Sequence, residues 1–468
     1  MGTLTSLMGL AQQALMANQA ALNVISNNVA NQNTPGYTRQ VVNLQQNDSV
    51  TIGNRNVGGG VSAGQAVSQR DRILEQRVQQ QTQVQAQSQA LQNALNQVQN
   101  IFGLSSTTTS ASSTQLGSAL DSFFNAVSSL TANPADIPTR QKVLSAATNL
   151  VSAFNSAASQ MAGVSSSLDQ QVSGNVNSIN GLLTTIASLN QKITTMSPNG
   201  DAGALEDQRQ QAIAQLSQYV GLNQIKNENN QITLTTTNGA VLVSGGQAYK
   251  MSTTLVSGTT HVMAGVPSAD VTTSLTGGAL GGVLQARDQL IPQYQSALDT
   301  LAYQIGAQVN QINTQGLDAD GNPGQAIFQV LSGANGAAGL LAMATNDPKA
   351  IAAAAVSEGV TGSGNALLLA GLATGASFSG ESPSGFLADL LGQIGNAASA
   401  AATSNTAQQA MLSQLTSQRN ALSGVSLDEE AANLTKYQRA YQAAAKVFSI
   451  TDQLMTSALN LGVTTAFS

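Results

Sequence analysis

Both ends of this chain carry apolar rows that repeat every seven residues, and the outermost stretch of each end carries no charge. Near the start, Met8, Leu15, Leu22 and Val29 recur at that spacing, with Leu4, Ala11, Asn18 and Ile25 as a companion row offset by three or four. Near the finish, Leu427, Leu434, Tyr441, Phe448 and Met455 do the same, with Tyr437, Ala444, Thr451 and Ala458 as the second row. Rows so related are the a and d positions that one helix presents to another in a coiled coil. Two such helices at opposite ends of one chain have an obvious partner in each other. Arg39 is the first charged residue, and none follows Asp452. Chain ends are ordinarily polar and frayed. Neutral ends with a strong apolar pattern are expected to become buried.

The first helix is predicted over Leu4 to Asn31, roughly 40 Å at 1.5 Å per residue. It must stop at Asn33-Thr34-Pro35-Gly36, because Pro35 disfavours helical geometry at Thr34 and Pro-Gly suits a type II turn. Tyr37 follows that turn. The last helix opens after Ser426, a capping residue, and Asp428, Glu429 and Glu430 suit the positive end of its dipole. Gly462 can end it. Ten amides lie among the first 33 residues, Asn28 one of them. Neutral amides can bond to like neighbours without repulsion, which suits packing of identical subunits. A buried Asn18 would fix register.

Between the ends, a long helix is expected from about Gln65 to Phe102, then a Ser/Thr-rich linker from Ser105 to Thr114. A shorter helix holds Leu116, Leu120, Phe123, Phe124 and Val127. Asn133-Pro134 and Pro138 break the chain, and helical patterning resumes from Thr139 to Met196 and from Ala204 to Val220. Then Ile232, Leu234 and Thr236 alternate, Asn238-Gly239 signals a hairpin, and Val241 and Val243 alternate after it. Leu280 to Asn313 reads as helix. The fold class expected is mainly α: paired terminal helices over 1–64 and 423–468, a helical bundle over 65–226, 277–316 and 365–422, and a small β-rich outer domain from 227–276 and 317–364.

Composition excludes several classes of function. Charged residues make up 9% of the chain, against about 25% in ordinary globular proteins. The formal net charge is -6, which argues against nucleic acid as a partner, since phosphate binding needs basic clusters. The densest charge run, Arg70, Asp71, Arg72, Glu75 and Arg77, alternates in sign and reads as a solvated helix face. With no cysteine, neither a disulfide framework nor a zinc–thiolate site is available. No cleavable secretory leader is visible, and no apolar run is long enough to span a membrane. A membrane-surface helix would carry Lys or Arg on its polar face, which the first helix lacks.

Catalytic and cofactor motifs are missing. The single histidine, His261, has no carboxylate near it in sequence and reads as structural. Gly58-Gly59-Gly60 lacks the lysine of a phosphate loop. Asp318-Ala319-Asp320-Gly321-Asn322 falls short of a calcium loop, because Gly321 is the fourth residue and Gln329 the twelfth, so it reads as a turn.

Leu22-Asn23-Val24-Ile25-Ser26-Asn27-Asn28-Val29-Ala30-Asn31, followed by Asn33-Thr34-Pro35-Gly36-Tyr37, closely resembles the N-terminal signature of bacterial flagellar rod, hook and hook-associated proteins. Tyr437-Gln438-Arg439-Ala440-Tyr441-Gln442-Ala443 resembles their C-terminal motif. Ser423 to Leu434, with its Asp428-Glu429-Glu430-Ala431 run, is similar to the hook-associated protein 1 branch. Leu205-Glu206-Asp207-Gln208-Arg209, Gly277 to Leu284 and Asp320 to Gly324 resemble internal features of that branch. The resemblance implies a structural, non-enzymatic protein without cofactor, which forms the hook–filament junction and serves filament assembly and motility. It also implies export in unfolded form through the flagellar type III apparatus, with a chaperone on the C-terminal region. The implied neighbours are further copies of itself, the hook protein and a second junction protein, outside the cell. The implied assembly interface comprises Met8, Leu15, Leu22, Ile25, Asn28, Val29, Leu434, Tyr437, Tyr441, Phe448 and Met455. A hook or rod protein and a secreted membrane-active helical protein are the alternatives.

Overall fold

The structure, a computed structural model, describes residues 2–34, 36–52, 55–104, 114–196, 202–227, 230–376, 378 and 380–464. Pro35 and most of the Ser/Thr-rich linker, residues 105–113, lie outside the described residues. Helix α1 (Gly2–Ala30) leads through a turn into strands β1 (Gln40–Gln46), β2 (Val50–Ile52), β3 (Arg55–Val57) and β4 (Val61–Ser68). Four helices follow: α2 (Arg72–Ile101), α3 (Gln115–Ala132), α4 (Ile137–Met196) and α5 (Ala204–Tyr219). Next come β5 (Leu222–Lys226), β6 (Ile232–Thr236), β7 (Val241–Ser244), β8 (Gln247–Ala248), β9 (Ser252–Val256), β10 (Thr259–Ala264) and β11 (Ala269–Asp270). The chain returns to helix in α6 (Gly278–Gln285) and α7 (Ile291–Gln315), passes through β12 (Gly316–Leu317), α8 (Ala337–Leu340), β13 (Ala354–Ala355) and α9 (Gly364–Gly371), and ends in α10 (Pro383–Ser423) and α11 (Leu427–Thr464).

Helix α4 is the spine. Its 60 residues run for about 90 Å at 1.5 Å per residue, and a buried stripe from Val143 through Leu150, Met161, Leu168 and Ile179 to Ile193 follows its length. Helices α3, α5 and α7 pack on it, and α2 pairs with α10 and α6. Their apolar faces join in one core, from Ala94 to Ala401, and no residue of α1 or α11 belongs to it. The terminal helices instead pack on each other, and α1 also packs on β1 and β4. The molecule therefore has a thick bundle with its own core and a thin terminal pair without a share in it.

Three expectations need correction. The segment expected to begin a long helix at Gln65 is strand, because β4 pairs antiparallel with β1, Gln40 opposite Ser68 and Gln46 opposite Val61. Helix starts only at Arg72, where the Asp71 side chain accepts a hydrogen bond from the Leu74 amide and caps it. The terminal region over 1–64 is thus not helical throughout. Gly60 shows how closely the strands lie on α1: its φ is +86° and a Cβ there would stand 2.3 Å from Gln13 Oε1.

Finally, residues 227–276 and 317–364 do not form one outer domain. The first set packs near the C-terminal half of α4, where Asn180 bonds Met251 and Asn190 bonds Ile232. The second packs near its start, where Arg140 bonds the Ile351 carbonyl and Asn155 that of Leu341. Arg140 and Asn190 are separated by about 75 Å of helix. The first set, joined by β5 just before it, forms two small antiparallel sheets, ordered β5-β6-β7-β8 and β11-β10-β9. The second is largely irregular, with the short helix α8 and the short β12–β13 pair.

Candidate assembly interface

The turn after α1 is organised by Asn28, which is 1% exposed. Its Nδ2 donates to the Gln40 carbonyl at 2.8 Å, and its Oδ1 accepts from the Gln40 amide at 3.0 Å and the Tyr37 hydroxyl at 2.9 Å. One amide side chain thereby mimics a strand partner for Gln40 and fixes the direction in which the chain leaves the helix. Gly36 takes φ +81°, a left-handed conformation that glycine reaches without steric cost. Asn33 and Thr34 are exposed and Tyr37 is half-buried. Desolvation, helped by the nearby Asp207 and Glu430 charges, raises the Tyr37 hydroxyl above its ordinary pKa.

Arg39 ties this turn to the other end of the chain. Its amide donates to the Ser423 carbonyl at 3.0 Å, and its guanidinium meets Glu430 at 2.7 Å and Glu429 at 2.6 Å. Glu430, read from sequence as a dipole-favouring residue, is in addition a buried ion-pair partner. These contacts set the end of α1 beside the start of α11, so the two helices run antiparallel.

Arg70 forms the adjoining node. Its side chain is 4% exposed and lies against three carboxylates: Glu206 at 2.9 Å, Glu75 at 3.4 Å, and Asp207. Asp207 also accepts from the Thr38 amide, and Glu206 from Asn230. The run around Arg70 is therefore a solvated face only in part: Arg72 and Arg77 are exposed, whereas α5 supplies buried acids that cover Arg70 and Glu75. Three acids around one cation leave negative charge in excess. Burial, which outweighs the attraction of Arg70, raises the carboxyl pKa of both Glu75 and Asp207. Arg209, wholly enclosed, donates to Asn190 and to the Asn230 carbonyl, and desolvation pushes its pKa down to about 10. Polar contacts thus run without a break from the α1 turn through α2 and α5 to strand β6.

Along the terminal pair, Ala11 and Ile25 are buried, and Met8, Leu15 and Leu22 are half-buried. On α11 the row Glu430, Tyr437, Ala444 and Thr451 faces inward, with Thr451 buried and Tyr437 and Ala444 half-buried. Leu434, Phe448 and Met455 flank it, half-buried. Val29 and Tyr441 stand exposed at the margin. Asn18 does not reach across the seam: it donates to the Ala14 carbonyl of its own helix. Sequence reasoning missed Ala17 and Ala21, which are buried and lie on the Gln13 side of α1, toward the strands. It also missed the partnership of Arg39 with Glu429 and Glu430, for which the scarcity of charge was the available signal.

Elsewhere, His261 is not without a carboxylate: pairing of β10 with β11 brings Asp270 to 2.6 Å from its Nδ1. Hydrogen bonds from Thr272 and His261 hold Asp270 down to about 2. Asp318 Oδ1 accepts from the amides of Asp320 and Asn322, closing its own turn. Among the described residues no group of three or more His, Cys, Asp or Glu side chains is placed to hold a metal ion. No helix among them is long and apolar enough to cross a membrane.

Comparison with known proteins divides the chain along the same lines. Residues 102–328 match the family described as flagellar hook-associated protein FlgK helical domain. Residues 8–38 match the family described as flagella basal body rod protein, and residues 416–461 that described as flagellar basal body rod FlgEFG protein C-terminal. The chain is 28% identical to flagellar hook-associated protein 1 of Bacillus subtilis, over 97% of this chain and 98% of that protein. It is 26% identical to the Escherichia coli protein of the same name, over 98% and 100%. The structure of the flagellar hook junction protein FlgK from Burkholderia pseudomallei has the same fold, with a TM-score of 0.67 at 18% identity, covering 74% of this chain and 99% of that one.

Proposed function

Because this chain belongs to the flagellar hook-associated protein 1 family, within the wider set of flagellar rod, hook and hook-associated proteins, we propose that it forms the junction between hook and filament and acts through assembly rather than catalysis. The observation that carries this reading is the terminal pair. The two ends of the chain fold together on a seam of their own, outside the bundle core, and each end separately resembles the flagellar rod families. Helices that bury only one stripe apiece gain most of their stability from neighbours, which is what an assembling end requires.

In this reading Met8, Leu15, Leu22, Ile25, Leu434, Tyr437, Phe448 and Met455 form the seam around which copies stack. Asn28, with the turn from Asn33 to Tyr37, sets the angle between seam and bundle. Neighbours are further copies of the chain, the hook protein below and a second junction protein above. The protein reaches this extracellular position through the type III export apparatus, with a chaperone on its C-terminal region. The helical bundle faces outward.

The test is electron microscopy of cells that lack the protein. Intact hooks without filaments, with flagellin released into the medium, are expected. Filaments still attached to hooks would overturn the junction role.

A further inference from the structure

A cavity of about 200 Å³ lies between the start of α2, helix α5 and strands β5 and β6. It has far more room than one water needs, yet less than the roughly 300–1,000 Å³ of a pocket that encloses a drug-sized ligand. An occupant would therefore be a small ion or molecule. Three elements each bring a cation to the wall: Arg72 from α2, Arg209 from α5 and Lys226 from β5. Neither Arg72 nor Lys226 has an ion-pair partner among the described residues. Burial, and then repulsion from Arg72, holds the Lys226 pKa below its ordinary value; Arg209 and Arg70 add to that repulsion, and Glu206 opposes it. Glu206 shares the wall, but its oxygens already accept from Arg70 and from Asn230.

Three buried atoms of the lining side chains have no hydrogen-bond partner: Arg209 Nε, Gln224 Oε1 and Glu75 Oε2. Arg209 itself is 1% exposed. Leaving buried polar groups unpaired is costly, and here one donor and two acceptors converge on the same space. We propose that the cavity binds a small oxyanion that still carries a proton, with hydrogenphosphate as the type. Its negative oxygens accept from Arg209 Nε, Arg72 and Lys226, and charged donors drawn from three elements suit an ion with several acceptor oxygens. Its hydroxyl donates to Gln224 Oε1 or Glu75 Oε2. Sulfate has no proton to give at neutral pH, and chloride has none at all, so each meets only the cationic half of the wall. Water could pair the orphaned atoms but would leave the cations without a counter-charge.

The test is calorimetric titration of the purified full chain with inorganic phosphate at neutral pH and fixed ionic strength. One ion per chain should bind, more tightly than sulfate, and saturating phosphate should raise the unfolding midpoint beyond what chloride does. Lys226→Gln should weaken phosphate binding about tenfold, as expected for one lost charged hydrogen bond, and Arg72→Gln should do the same. Both residues are exposed, so unfolding without phosphate should stay as in the parent. Gln224→Leu should bring the affinity for phosphate down toward that for sulfate. The absence of binding heat and of any midpoint shift would overturn the proposal. Equal affinity for phosphate and sulfate in the parent would also overturn it, because the orphaned acceptors would then have no part. Binding indifferent to both cation substitutions would mean an adventitious ion only.

Discussion

At the scale of single residues, the Arg70 node is unusual in a chain with so little charge. Replacing Arg70 by Met would leave Glu75, Glu206 and Asp207 buried without their shared cation. Such a loss costs about 3–5 kcal/mol, readable as a fall in the denaturation midpoint. Glu75→Gln is expected to do far less, because the carboxylate it removes is one of three competing for Arg70. It should also alter the pH profile. Carboxyls whose folded pKa is raised, as those of Glu75 and Asp207 are, contribute stability that is full below the ordinary carboxylate value and lost as pH rises through the folded value. The parent should therefore lose stability across that window as pH rises, and Glu75→Gln should flatten the slope. A parent with no such slope would contradict the burial argument. These residues were in plain view in the sequence, yet their role was hidden. Alternating charges on a helix look alike whether water or a second helix covers them, and the cover here comes from α5, more than a hundred residues away.

At the scale of elements, the long helices were legible because each buries a stripe along its length. The terminal heptads, the Leu116–Val127 helix and the alternation from Ile232 to Val243 all gave elements at the places where the period said they should lie. Strands β1 to β4 were not legible. A two-stranded ribbon lying on one helix buries little of either face, and β4, with Gly64 and four exposed residues, alternates too weakly to declare itself. Asp71, the cap of α2, marked the true helix start. The seam makes its own prediction. Leu22→Asp puts a charge into the half-buried face of α1, which shares no core with the bundle. Filament attachment should be lost while the bundle keeps its unfolding transition. Normal motility in that variant would rule out the seam as the assembling surface.

At the scale of the whole molecule, α4 makes the bundle an elongated body, and its two ends answer to different contacts. Sequence order gave no indication that residues 227–276 and 317–364 sit at opposite ends of one helix, because adjacency along a spine is decided by packing rather than by period. Arg140 anchors the second segment from a fully buried position, donating to the Pro134 carbonyl at 2.9 Å and to that of Ile351. Arg140→Met should cost about 1–3 kcal/mol for each carbonyl left without a partner. Hydrogen exchange should show protection lost over residues 317–364 and kept around Arg39 and Arg70; uniform loss would mean that the spine does not separate its ends. The node that joins the terminal pair to this spine has one more consequence. Exposed ion pairs fade as ionic strength rises, whereas enclosed ones are screened much less. A cell carried from fresh water into brine would therefore keep the enclosed Arg70 contacts at this joint while the outer Arg39–Glu429 pair weakened.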